Sequence, residues 1–162
     1  MIVKKETLRE SAKSLLLERD VTLDDIADLV FFLQKDYVED LTHQQCLDNV
    51  EAVLEKREVQ NAIITGIQLD ILAEQGQLLQ PLQEIVETDE GLYGIDEILA
   101  LGIVNVYGSI GFTNYGYIDK VKPGILAKLN AHDGEKVHTF LDDLVGAIAA
   151  AAASRLAHSI PN

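Results

Sequence analysis

The sequence predicts an all-α fold, a single compact bundle of about six or seven helices around one or two very apolar central ones. Three observations predict it. No stretch alternates polar and apolar residues with a period of two between turn signals, so a sheet has little support. Apolar residues recur at helical spacing instead, behind three capping-type pairs: Thr22 with Asp25, Thr42 with Gln45, and Thr139 with Asp142. Only three prolines in 162 residues leave few points at which a helix must break. A chain of this length suits one core, so residues 1–162 are expected to form one helical domain.

Residues 1–20 read as a charged, weakly amphipathic helix with Leu8, Leu15 and Leu16 on its apolar side, an N-terminal arm to the bundle. The next helix is announced by its cap: Val21 is placed to staple onto Ile26, and Ile26, Leu29, Val30 and Leu33 share one face. Behind Thr42 the period runs through Leu47, Val50, Leu54, Ile63, Ile67 and Leu72 to Gly76, a glycine suited to a C-terminal cap. This is one long helix, or two kinked near Gly66. Pro81 opens a short helix that ends at the acidic turn of residues 87–91. Residues 93–107 are apolar on all sides and are expected at the centre of the bundle. Gly108, Gly111 and Gly116 then predict an irregular, aromatic-rich connection, and Pro123 opens a short helix that stops before Gly134. Thr139 and Asp142 start the last helix, whose alanines at 149–153 offer a smooth side for close packing.

Composition narrows the function. With 13 basic and 27 acidic residues the chain carries a formal charge of −14, which repels nucleic acid and anionic membranes and favours cations. Nucleic-acid binding is therefore set aside. Residues 98–118 lack charges but contain polar residues and glycines, and 144–154 is too short to span, so no transmembrane segment is expected. The single cysteine, Cys46, excludes an internal disulfide, and the N-terminus has no apolar signal core; a cytoplasmic protein follows. Cys46 has no nearby activator and is expected to fill a helix face. Two very apolar helices in so short a chain also predict a homo-oligomer, most simply a dimer.

Chemistry concentrates in three acidic places: Asp96 and Glu97 in the apolar 93–107 segment, Asp119 in the glycine-rich connection, and Asp142 and Asp143 at the head of the last helix. Carboxylates are costly to bury unless paired or bound to metal, and several brought together call for a hard divalent cation. Lys120 and Lys122 can offset the charge of a phosphate. The plainer readings are that Asp142 and Asp143 complement the helix dipole, that Asp96 and Glu97 form a solvated edge, and that the lysines are a surface pair. Glu51, Glu55 and Glu58 share one face, readable as a solvated stripe balanced by Lys56, Arg57 and Arg19. His132 and His138 lack metal-ligand spacing and are expected to be exposed. No nucleophile elbow or Walker-type loop is present.

In order, "GIDEIL", "YIDKVKP" and "DDLVGA" resemble the D-E, F-D-x-x-K-P and D-D-x-x-A-G elements of the phosphatidylglycerophosphatase A family, in particular its short, soluble Gram-positive branch. The resemblance covers residues 91–155. A glycine- and proline-rich element of the family has no counterpart, and Gly116 stands where an arginine is usual. The resemblance implies Mg²⁺-dependent hydrolysis of a phosphate monoester, phosphatidylglycerophosphate giving phosphatidylglycerol and phosphate. It implies Asp96, Glu97, Asp142 and Asp143 as metal ligands, with Asp119 and Lys122 completing the catalytic set. The substrate is then a phosphorylated lipid met in transient membrane contact. A phosphatase or pyrophosphatase acting on a small soluble phosphate ester is the alternative, and a non-catalytic helical oligomeric interaction protein is the other.

Overall fold

In the computed structural model, residues 5–131 and 135–161 are described, with no side-chain detail for residues 5 and 6. The expectations for His132 and Gly134, and for the first residues of the N-terminus, fall outside that set. Among the described residues the fold is all-helical, as the sequence predicts, but it contains nine α-helices and one 3₁₀ turn rather than six or seven helices. They are α1 (Lys5–Glu18), α2 (Leu23–Gln34), α3 (His43–Leu54), α4 (Arg57–Glu74), α5 (Leu82–Glu87), α6 (Ile95–Val104), α7 (Ser109–Val121), α8 (Ile125–Asn130) and α9 (Leu141–Ser159). The 3₁₀ turn Asn105–Tyr107 joins α6 to α7.

α9 is the axis of the bundle. Every residue from Leu141 to Ser154 is buried, and α2, α3, α4, α6, α7 and α8 all pack against it. Its alanine run lets these neighbours approach closely, because a methyl group keeps the helix narrow on every side. α1 lies along α4 and contributes Ala12 and Leu16 to the same hydrophobic cluster. The capping boxes at Thr22 and Thr42 form as expected, each with reciprocal bonds to the third helical residue. α4 ends at Gly76 with φ +65°, where the N–H of Gln77 donates to Leu72 and that of Gly76 to Ala73.

Four expectations are corrected by the structure. The chain between Thr42 and Gly76 does break, but at Lys56 rather than Gly66. There the Gln60 amide donates to the orphaned carbonyl of Leu54 at 2.7 Å, closing α3 without glycine or proline. Gly66 is instead a packing residue: a Cβ there would lie 2.6 Å from Leu144 and 3.1 Å from Phe140, so its bareness lets α4 meet the head of α9. Residues 93–107 are not central. α6 buries Ala100, Ile103 and Val104 against α9 while Ile98 is 62% exposed, because the alanine-rich α9 takes the axial position. The glycine-rich connection is a helix, α7, in which Gly111 allows contact with Val104. Finally, Thr139 is no cap; its hydroxyl donates to Val86 at 2.6 Å. The N–H groups of Phe140 and Leu141 donate instead to the carboxylate of Asp70, at 3.0 Å each.

Candidate functional site

The cap on α9 fixes the start of the site. Asp142 and Asp143 follow it directly and are held among buried residues, 7% and 6% exposed. α6 brings Asp96 and Glu97 in its first turn, and the last turn of α7 brings Asp119. The chain then turns sharply at Lys122, whose backbone sits at φ +51°, a region that favours glycine. That conformation returns the lysine side chain toward α7 and α9: Nζ donates to Asp119 Oδ1 at 2.7 Å and to Asp142 Oδ2 at 3.3 Å. The six residues that the resemblance implies as the catalytic set, Asp96, Glu97, Asp119, Lys122, Asp142 and Asp143, all line one cleft of about 510 Å³.

The cleft also contains residues that sequence reasoning missed. Asp89 and Glu90 enter from the turn after α5, and Asn130 from the end of α8. Asp89 adopts φ +51° in a position where glycine is the unstrained choice. The acidic turn of residues 87–91 was the available signal, although it reads equally well as a helix terminator. From beneath, the Tyr115 hydroxyl donates to Asp143 Oδ1 at 3.1 Å. Lys120 is exposed and lies outside the cleft. His138 is half-buried rather than exposed; its Nδ1 donates to the Leu129 carbonyl at 3.1 Å, in a small cavity that shares Asp142 with the cleft. The Glu51 and Glu55 stripe is solvated as expected, but α1 balances it through Lys13 and Arg9, while Arg19 pairs with Glu74. Cys46 is fully buried.

Electrostatics are one-sided. Among the described residues the cleft gathers seven acidic side chains against a single lysine. Burial pushes the Asp142 carboxyl up from the ordinary range, while the Lys122 ammonium pulls it back and Asp89 pushes it further up. Asp143 is raised by burial, then by the charge of Asp142, a hydrogen bond with Asp96 and the charge of Asp119. For Lys122 burial alone would lower the pKa, yet its bond to Asp119 and the charge of Asp142 prevail and raise it. Tyr115 is raised by burial and by Asp143, so it stays a donor. Outside the cleft, burial lifts Asp70 to about 8 against the backbone N–H groups that hold it down.

An acid whose folded pKa is raised stabilises the fold fully below its unfolded value and loses that contribution as pH rises through the folded value. Asp70, Asp142 and Asp143 are all of this kind. Without divalent metal, the thermal midpoint should therefore fall as pH is raised from about 5 to about 9. A midpoint that climbed across that window would mean that these carboxyls ionise more readily in the folded chain.

No three acidic, histidine or cysteine side chains among the described residues surround one point closely enough to enclose an ion. Magnesium does not need such a cage, since one or two carboxylates, waters and a substrate phosphate complete its octahedron. An excess of buried carboxylates over ammonium groups fits that mode, because each bound cation removes like-charge repulsion that Lys122 alone leaves uncompensated.

Fold and cleft together define a class: among the described residues, an all-α protein with a strongly acidic cleft. The chain belongs to the phosphatidylglycerophosphatase A family, whose model matches residues 17–158. That match reaches well before residue 91, where the recognisable motifs begin. YutG of Bacillus subtilis (strain 168), an uncharacterized protein, is 64% identical over 151 residues, covering 93% of this chain and 91% of that one. The crystal structure of low temperature requirement C protein from Listeria monocytogenes superposes with a TM-score of 0.94 at 72% identity, over 96% of this chain and 98% of the other. A protein of unknown function from Bacillus stearothermophilus gives 0.93 at 65%, over 94% and 95%. Membership of the family points to a phosphatase and a phospholipid substrate. Among the described residues no helix is long and apolar enough to cross a membrane.

Proposed function

We propose that the cleft hydrolyses a phosphate monoester in a Mg²⁺-dependent reaction, with phosphatidylglycerophosphate as substrate and phosphatidylglycerol and phosphate as products. One observation carries this reading: three separate stretches that resemble the family's motifs bring Asp96, Glu97, Asp119, Lys122, Asp142 and Asp143 to one cleft, in a chain of that family. Magnesium, when bound, supplies a Lewis acid for the phosphoryl oxygens and lowers the pKa of a bound water. Asp96, Glu97, Asp142 and Asp143 are the residues that would supply its one or two carboxylate ligands, with waters and the substrate phosphate completing the set. Lys122 stands between Asp119 and Asp142 and offsets negative charge as it builds on the phosphoryl group. Tyr115 fixes the orientation of Asp143 through its hydroxyl. A carboxylate left unligated accepts the proton of the attacking water.

A second reading, a small soluble phosphate ester or pyrophosphate as substrate, is favoured by the charge of −14, which opposes approach to an anionic membrane. Phosphate release from magnesium-loaded protein separates the two. With a lipid substrate, activity on vesicles rises with moderate salt, which screens repulsion over roughly 10 Å at about 0.1 M. With a soluble substrate, turnover needs neither vesicles nor detergent. No release from either class would leave the helical interaction protein as the function.

A further inference from the structure

Charge is distributed unevenly along the chain. Residues 98–131 hold three lysines, Lys120, Lys122 and Lys128, against one acid, Asp119, so the whole negative excess lies elsewhere. α7 runs through this stretch. Lys120 is the one charged side chain on its exposed surface, since Asp119 is half-buried at the edge of the cleft and paired with Lys122. The same surface exposes Ile110, Phe112, Tyr117 and Val121, with Tyr117 at 53% and Val121 at 46%. On the α2 side, the Phe32 ring stacks on Tyr117 at 6.1 Å, and the Lys35 ammonium stands 5.8 Å from the centre of the Phe32 ring. Among the described residues neither Lys35 nor Lys120 forms an ion pair, whereas Arg9, Lys13, Arg19, Lys122 and Lys136 all do.

We propose that this outer surface of α7, bordered by Phe32 and Lys35 of α2, docks the protein on an anionic phospholipid bilayer. The inference rests on the phospholipid reading of the cleft. Charge selects the occupant: unpaired ammonium groups among exposed aromatic and aliphatic side chains meet lipid phosphates with opposite charge and the acyl boundary with apolar contact. A second copy on the same surface about a two-fold axis would set lysine against lysine. The surface also ends where the chemistry is. Val121 directly precedes Lys122, whose ammonium bridges Asp119 and Asp142 in the cleft. A headgroup held there therefore belongs to a lipid that lies alongside the apolar side chains of α7. Net charge does not override the contact. Screening acts over roughly 10 Å at about 0.1 M salt, about the width of one helix. The acids of α1, which packs on α4, are thus largely screened at the α7 surface, while the lysines touch the bilayer.

Co-sedimentation of the full chain with vesicles at about 0.1 M salt tests this. The vesicles are equal parts phosphatidylglycerol and phosphatidylcholine, or phosphatidylcholine alone. Wild type should bind the mixed vesicles and not the neutral ones. Lys120→Glu should weaken binding about 30-fold, because a lysine at an anionic surface strengthens association about fivefold and reversing its sign counts twice. Tyr117→Ser should weaken it as well, both variants keeping the helical circular dichroism spectrum. Lys56→Glu makes the same change in net charge at the exposed junction of α3 and α4 and should bind as wild type does. A short-chain phosphatidylglycerophosphate dispersed without vesicles separates docking from chemistry: Lys120→Glu should hydrolyse it at the wild-type rate while losing activity on vesicles. Wild type that binds neither kind of vesicle, or both equally, would overturn the proposal. So would equal losses from Lys120→Glu and Lys56→Glu, or a vesicle-free dimer that Lys120→Glu dissociates, which would give the surface to a second copy. Vesicle binding that follows Lys120 and Tyr117 without phosphate release from either form of the lipid would uphold the surface and overturn only the hydrolysis reading.

Discussion

Lys122→Met should lower turnover of the phosphate ester by about 100- to 1,000-fold, the usual cost of removing one preorganised charge from a transition state. The ammonium is the only cation among seven carboxylates lining the cleft in the described residues, and it touches Asp119 and Asp142 together. Methionine keeps the length of the stem and inherits the same left-handed backbone, so the change isolates charge from shape. Two effects combine. The phosphoryl oxygens lose their partner, and Asp142, buried and already raised in pKa, loses the group that pulls it down. The loss should fall on kcat more than on KM, because the phosphate gains most of its charge-stabilisation need in the transition state. Lys122→Arg should recover only part of the activity, since a planar fork does not reproduce a point charge bridging two carboxylates. Activity of Lys122→Met within a few-fold of wild type would remove Lys122 from the chemistry.

The largest effect on stability should come from Asp70→Ala, at about 3 kcal/mol, or roughly 6–12 °C in thermal midpoint for a chain of this size. Asp70 is fully buried and accepts the N–H groups of Phe140 and Leu141, the first free donors of the central helix. Alanine would leave both donors buried without a partner beside a small cavity. Because Asp142 and Asp143 follow this cap immediately, the same change should loosen the cleft, and activity should fall with stability. Asp70→Asn keeps one acceptor and should lose about half as much. A midpoint for Asp70→Ala within a degree or so of wild type would show that α9 is capped by other means.

These two residues also mark where sequence reading reaches its limit. The caps at Thr22 and Thr42 were legible because donor and acceptor are three residues apart. The cap on α9 was not, because Asp70 lies seventy residues from Phe140 and no local pattern links them. Thr139 offered a plausible substitute, yet tertiary packing directs its hydroxyl to Val86. The end of α3 was misplaced for a similar reason: Gln60 closes it with a side chain from the next helix, while Gly66, the local breaker, is used for packing. Hydropathy alone put residues 93–107 at the centre, although the narrower alanine-rich α9 packs more neighbours around itself. For the cleft, the acids of α6, α7 and α9 were legible through their motifs, whereas Asp89, Glu90 and Tyr115 join only when the turn after α5 and the buried side of α7 are folded onto α9.

Titration calorimetry with Mg²⁺ tests the central claim most directly, comparing wild type with Asp142→Asn. The amide preserves the shape of the side chain and most of its hydrogen bonding, so the fold should persist while one anionic ligand is lost. The account predicts a saturable Mg²⁺ isotherm for wild type that is weakened at least about 10-fold in the variant, since even supporting groups around a metal contribute that much. Identical traces for the two proteins, or no heat of binding from wild type, would contradict it.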